Sequence, residues 1–209
     1  MHTHKTSGRT LPPHSATPGV LRPALGLSVA TLVFAGLGYA LLATGLGRVL
    51  FPTQAQGSLV ERDGIIVGST LVAQPFADAR WFVPRPSASD YDTMALAGSN
   101  QARSNPELLA TIAGTRARIA AREGIDPTEV PPDLATRSGG GIDPHISPEG
   151  AHVQVARVAA ARGLAPAAVQ RRVDAHTQAP LFGLFGAARV NVLELNLALD
   201  AQPAPAGAE

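Results

Sequence analysis

Apolar and polar positions follow two regimes along this chain. From Ala24 to Gly47, "ALGLSVATLVFAGLGYALLATGLG", no charged residue interrupts 24 positions. About 20 apolar residues cross a bilayer as a helix. A soluble helix of that length shows a polar stripe, and none is present. Pro23 stands at the start, where a missing N–H costs nothing, and Tyr39 and Arg48 suit the far interface. The pattern predicts a membrane-spanning helix over 23–48. The rival reading is a cleaved signal sequence, whose apolar region runs to roughly 7–15 residues. The Gly45-Leu46-Gly47 triplet is its one supporting feature.

Beyond the span the pattern breaks into short elements. Ser58–Val60 and Ile65–Ala73 are rich in strand formers, and Asp63-Gly64 between them is a favoured two-residue turn. "ARWFVPRPSASDYD" is an irregular, proline-broken loop. A helix follows, capped by Ser104 or Asn105, with Pro106 at its first position, Glu107 in its first turn and its end at Gly124. Leu108, Leu109, Ile112 and Ile119 are spaced for its buried face. "IDPTEVPPDLATRSGGG" reads as loop. Ser147 caps a second helix that runs to Gly163, and a third starts at Pro166 and ends near Gln178. In "RVNVLELNLALD", Leu193, Leu195, Leu197 and Leu199 alternate with Glu194, Asn196 and Ala198, which predicts a C-terminal strand with one buried face. The expected fold is α+β: one N-terminal transmembrane helix, then a domain over 49–200 holding a β-hairpin, about three helices and a final strand. Residues 1–22 read as a disordered cytoplasmic tail and 201–209 as a frayed C-terminus.

Charge orients the span. Lys5, Arg9 and Arg22 precede it without any acid, whereas residues 49–209 carry 13 basic and 16 acidic side chains. The bias places the N-terminus in the cytoplasm and the larger domain outside it. A net charge of +1 and 4% aromatic residues argue against nucleic-acid binding. No cysteine is present, which removes disulfides, thiolate metal sites and cysteine nucleophiles.

The residues "SGGGIDPHISPEG", Ser138 to Gly150, carry the candidate chemistry. Asp143 and His145 could form a general acid/base pair of a membrane-anchored hydrolase, but that needs a nucleophile or metal nearby. The competing reading is a glycine-rich turn, stiffened by Asp143-Pro144, that leads into the Ser147 cap. His145, His152 and His176 match no known ligand spacing for zinc. Gly139–Gly141 lack the rest of a phosphate-binding motif, and no GxSxG elbow exists. Elsewhere Arg85, Pro86 and Ser87, and Ser99 and Asn100, sit in loops suited to contacts, with Arg85 a possible anchor for a partner's carboxylate. Within the span Gly36, Ala40 and Thr44 recur at i+4, a stripe on which another helix could pack.

The order of one N-terminal span, "GSLV…GIIVGSTLVAQPF", "RWFVPRPSASDYD", "AGSN…SNPEL", "GGGIDPHISP" and "LFGLFGAARVNVLELNLALD" resembles the C subunit of the Kdp-type potassium-transporting ATPases. The resemblance covers roughly residues 20–200. The Asp143–Pro148 run and the closing stretch with Asn191 and Asn196 are its most specific parts. Ala187-Ala188 stands where the family tends to show Glu-Pro, Gly139-Gly140 where small Ser or Ala residues are common, and Ala97 where glycine is usual. The resemblance implies an accessory subunit without chemistry of its own. Its partners would be a P-type ATPase subunit and a channel-like potassium-binding subunit, with no cofactor beyond ATP reached through the ATPase subunit. It implies help in assembly and a raised affinity of the ATPase subunit for ATP. The loop from Gly139 to Ser147 would then be architecture and contact surface.

Overall fold

The computed structural model describes residues 19–201, so most of the expected N-terminal tail and residues 202–209 lie outside the described residues. The chain divides after Ala55 into two compact units. The first holds one helix over Leu21–Leu50, with a mean hydropathy of 2.0 in its most apolar window. It comprises α1 (Leu21–Thr31), a π-helical stretch (Leu32–Gly38) and α2 (Tyr39–Leu50), followed by the single turn α3 (Pro52–Ala55). In the π-helical stretch the backbone bonds reach i→i+5. Gly36 lies within it and Ala40 just beyond, so the i+4 stripe seen in the sequence crosses a change of helical period.

The second unit opens with the antiparallel hairpin β1 (Leu59–Arg62) and β2 (Ile65–Ser69). Asp63 (φ 53) and Gly64 (φ 76) both take left-handed backbone at the turn, as a type I′ hairpin requires. The strand ends at Ser69 rather than Ala73. α4 (Pro106–Glu123) starts on the Asn105 cap, whose side chain accepts from the Glu107 N–H at 2.9 Å, and stops at left-handed Gly124. Its buried line is Thr115, Ile119, Ala120 and Glu123, while Leu109 is exposed. The expected loop after it contains a 3₁₀ turn (Pro127–Glu129) with a reciprocal Asp126–Glu129 cap, and α5 (Pro132–Ala135).

β3 (His145–Ile146) leads into α6 (Pro148–His152), capped by Ser147. α7 (Val155–Arg162) follows after a break at Val153-Gln154, so the expected single helix to Gly163 is two. α8 (Pro166–Ala175) and β4 (Thr177–Gln178) precede β5 (Arg189–Asn191), which lies between β3 and β4 in an antiparallel sheet. The predicted C-terminal strand is then overturned: Val192–Asp200 is a helix, α9. Asn191 caps it by accepting from the Glu194 N–H. Val192, Leu195, Asn196 and Leu199 repeat at helical spacing and are buried, and Leu193 is buried beside them. Alternating leucines fit a strand, yet Leu, Ala and Glu favour a helix, and Asn-x-x-Glu is a helix start.

At the centre of this unit runs a segment with no strand partner. Residues 82–87 have no regular secondary structure, and Phe82 is fully buried. Buried backbone groups must be paired, and here side chains pair them. The buried Asn196 amide accepts from the Phe82 N–H (2.8 Å) and donates to its C=O (3.0 Å). The buried Gln154 amide does the same for Val83, at 2.9 and 3.2 Å. Arg157 donates to the carbonyls of Ala79 and Trp81, and Arg162 to that of Arg80. Arg157 is itself held by Glu123, whose carboxylate also receives Arg122. The Trp81 ring packs against the guanidinium groups of Arg80 and Arg162, at 4.6 and 4.8 Å.

Asn196→Leu keeps the branched heavy-atom skeleton of this side chain but leaves the buried N–H and C=O of Phe82 unpaired. It should lower the stability of the detergent-solubilised chain by about 3 kcal/mol in urea unfolding. An unchanged urea midpoint would remove the amide from the account of the fold.

Candidate functional site

Arg85 leaves the threaded segment and joins two other stretches, 133–137 and the Asp143 turn. Its guanidinium donates to the Asp133 carbonyl (3.2 Å), the Asp143 carboxylate (3.2 Å), the Thr136 hydroxyl (3.3 Å) and the Arg137 carbonyl (3.4 Å). It is therefore engaged within the chain rather than free for a partner's carboxylate. The Tyr91 hydroxyl donates to the Arg85 carbonyl at 2.9 Å. Burial first, and Asp90 second, push the Tyr91 phenol above its usual range against the pull of Arg122, so that it keeps the proton it donates.

The Asp143-Pro144-His145 turn closes on itself and on β5. One Asp143 oxygen accepts from the His145 backbone N–H at 3.0 Å and lies 3.4 Å from the His145 Nδ1, while the other faces Arg85. Burial pushes the Asp143 carboxyl up. The His145 hydrogen bonds and the Arg85 charge together outweigh it and hold the group below its ordinary 3.8. Pro144 accepts from the Val192 N–H through its carbonyl, and His145 pairs with Asn191 in the sheet. Asn191 also donates to the Thr70 carbonyl, which ties the hairpin's end to the same place.

Ser147 is committed elsewhere. Its hydroxyl donates to Asp133 at 3.0 Å and accepts from the Gly150 N–H at 2.8 Å, and its own N–H donates to the other Asp133 oxygen. The nearest serine in sequence is thus oriented by a carboxylate, with no bond to His145. The other histidines have separate partners: His152 bonds to Gln170 and His176 to the Arg172 carbonyl. Among the described residues no three His, Cys, Asp or Glu side chains gather as a metal site.

The glycines do steric work. A Cβ on Gly98 would lie 2.7 Å from the Gly139 carbonyl oxygen. One on Gly141, which is left-handed at φ +78, would lie 2.5 Å from the Ser89 hydroxyl and 2.9 Å from the Ala97 carbonyl. Pro86 accepts from the Ser138 N–H, and Ser87 accepts from the N–H groups of Ser89 and Tyr91. Arg85, Pro86, Ser87, Asp143, Pro144, His145 and Ser147 therefore converge. Around them opens a cavity of about 270 Å³ bordered by Arg85, Asp133, Asp143, His145, Ser147 and Ala187–Arg189.

Other residues singled out in the sequence lie apart from this cluster. Ser99 borders a second cavity with Leu108 and Ile112, and Asn100 is exposed with left-handed backbone. Asn191 and Asn196 are buried in the fold, and Gly36 and Ala40 belong to the other unit. Asp133 was not singled out, although it holds both Ser147 and, through its carbonyl, Arg85. Its signal was slight: an acid in the first turn of a proline-initiated helix.

The lowered pKa of Asp143 has a sign that can be measured. A carboxyl held below its unfolded value stabilises the fold above that value, and the contribution disappears as pH falls through the lowered folded value. The melting temperature of the chain should therefore drop below about pH 4, and Asp143→Asn should lack this part of the acid limb. Parallel acid limbs for the two proteins would contradict the assignment.

The family model described as K+-transporting ATPase, c chain matches residues 21–201. A potassium-transporting ATPase KdpC subunit from Xanthomonas oryzae pv. oryzae (strain MAFF 311018) is 62% identical over 182 residues, which cover 87% of each chain. The KdpC subunit of Sorangium cellulosum is 51% identical over 186 residues, 86% of this chain and 96% of its own. That of Shewanella putrefaciens is 50% identical over 176 residues, 84% of this chain and 88% of its own. The matched region runs from the apolar helix through the threaded segment and the Asp143 turn to the end of α9, and on that extent the chain belongs to the KdpC family, the c chains of K+-transporting ATPases.

Proposed function

We propose that the chain is a non-catalytic, single-span accessory subunit of an ATP-driven potassium uptake complex. Its family carries the reading, and the Asp143–His145 turn supports it: the Asp143 carboxylate and the His145 N–H fix the loop, and Ser147 is turned to Asp133 rather than to the imidazole. The apolar helix Leu21–Leu50 crosses the membrane with its N-terminus in the cytoplasm, and the domain from Gln56 onward lies outside. The partners are a P-type ATPase subunit and a channel-like potassium-binding subunit. Helix packing uses the face with Gly36 and Ala40, where a Cβ on Gly36 would meet nothing of this chain within 4 Å. ATP is cytoplasmic, so a raised ATP affinity of the ATPase subunit reaches it through a two-state membrane assembly rather than through a nucleotide on this domain.

The topology has a direct test, because the chain has no cysteine. Met94 is 92% exposed in the domain. Met94→Cys should react with a membrane-impermeant thiol reagent in intact spheroplasts, whereas labelling only after lysis would reverse the orientation. The same tagged chain should co-purify with a P-type ATPase from potassium-starved cells.

His145→Gln keeps hydrogen-bonding capacity and removes imidazole basicity. The assembled pump should retain most of its potassium-dependent ATP hydrolysis with this variant. A general base would instead show a loss of roughly 10²–10⁴-fold with assembly and melting unchanged, and that result would defeat the non-catalytic reading.

A further inference from the structure

One apolar feature of the domain takes no part in its core. Between β4 and β5 the chain turns through Pro180–Gly186, and Leu181, Phe182, Leu184 and Phe185 are 63, 84, 81 and 66% exposed. Soluble surfaces rarely gather large apolar side chains so closely unless the patch has a function. No charged residue occurs from Thr177 to Ala188. Phe182 (φ 55), Gly183 (φ 71) and Gly186 (φ 87) take left-handed backbone and hold the turn tight.

We propose that this turn inserts into the interface of the lipid bilayer, as a membrane contact in addition to the helix. The inference rests on the reading of Leu21–Leu50 as a membrane span. Its own warrant is the turn's backbone. A segment entering hydrocarbon must satisfy its peptide groups internally. Here the N–H groups of Leu181 and Phe185 bond to the carbonyls of Phe185 and Leu181, at 2.9 and 3.0 Å. Those of Gly183 and Leu184 bond to Pro180 and Leu181, at 2.9 and 3.1 Å. Four of the six N–H groups from Leu181 to Gly186 are thus paired within the turn, which lowers the cost of leaving water for the bilayer interface. The titratable side chains that bound the uncharged run in sequence, His176 and Arg189, are both basic, which suits anionic headgroups. Phenylalanine and leucine are the side chains that bury at the headgroup boundary.

The experiment uses the full chain carrying one nitroxide, in vesicles of phosphatidylcholine with phosphatidylglycerol. Leu184→Cys labels the turn, Phe34→Cys the helix, and Met94→Cys an exposed loop. Collisions with oxygen, which partitions into lipid, are compared with collisions with a water-soluble nickel complex. The expected result is an oxygen-dominated ratio at Leu184, as at Phe34, and a nickel-dominated one at Met94. Adding Phe182→Ser and Phe185→Ser to the Leu184 label should return it to the nickel-dominated ratio. Nickel access at Leu184 with a lipid-like Phe34 overturns this inference and leaves the span intact. Nickel access at both positions overturns both. In vesicles holding the whole pump, a Leu184 label sheltered from both reagents would mean that protein covers the turn, which also overturns it.

Discussion

The domain depends on how it satisfies the peptide groups of one extended segment. Phe82 to Pro86 passes through the core without a neighbouring strand, where an unpaired N–H or C=O would be costly. Asn196 and Gln154 act as substitute strands, each presenting one donor and one acceptor to a single residue of the segment. Arg157 and Arg162 take the carbonyls of Ala79, Arg80 and Trp81, just before it. This arrangement places α7 and α9 around one thread, and it places Glu123 of α4 there too, as the counter-charge of Arg157.

The loop cluster is a continuation of the same device. Once Phe82 and Val83 are fixed, Arg85 emerges at a set position and gathers Asp133, Thr136, Arg137 and Asp143. The glycines at 98 and 141 let the backbones of two loops close on each other where a side chain would collide. A motif that resembles acid/base chemistry in one dimension is in three dimensions a fastening between loops. Its ionic members are partly exposed, so their worth lies more in fixing geometry than in stability.

The elements most legible in the sequence are those with local causes. Asp63-Gly64, Asn105-Pro106-Glu107 and Ser147-Pro148 announce a turn and two helix starts because the residues that determine them are adjacent. Leu193 to Leu199 misled because alternation and helical spacing overlap in so short a run, and the deciding signal was the Asn191 cap. The roles of Gln154 and Asn196 were illegible for another reason. Their partners lie 71 and 114 residues away, and no periodicity records a bond of that range. Part of the candidate site was visible as a motif, but the orientation of Ser147 toward Asp133 depends on α5, fourteen residues upstream.

The distance between Phe82 and Asn196 also sets an order of events. A ribosome releases the N-terminal side of a chain first, and closure of distant contacts is slow. Phe82 must remain without its amide partner until almost the whole domain has been synthesised, since Asn196 lies at the middle of α9. The core of the domain is therefore completed only once α9 has been made. Until then a newly made chain exposes an apolar core segment beside a membrane helix already available for insertion. The only tryptophan of the protein, packed against Arg80 and Arg162, stands at the place where that wait ends.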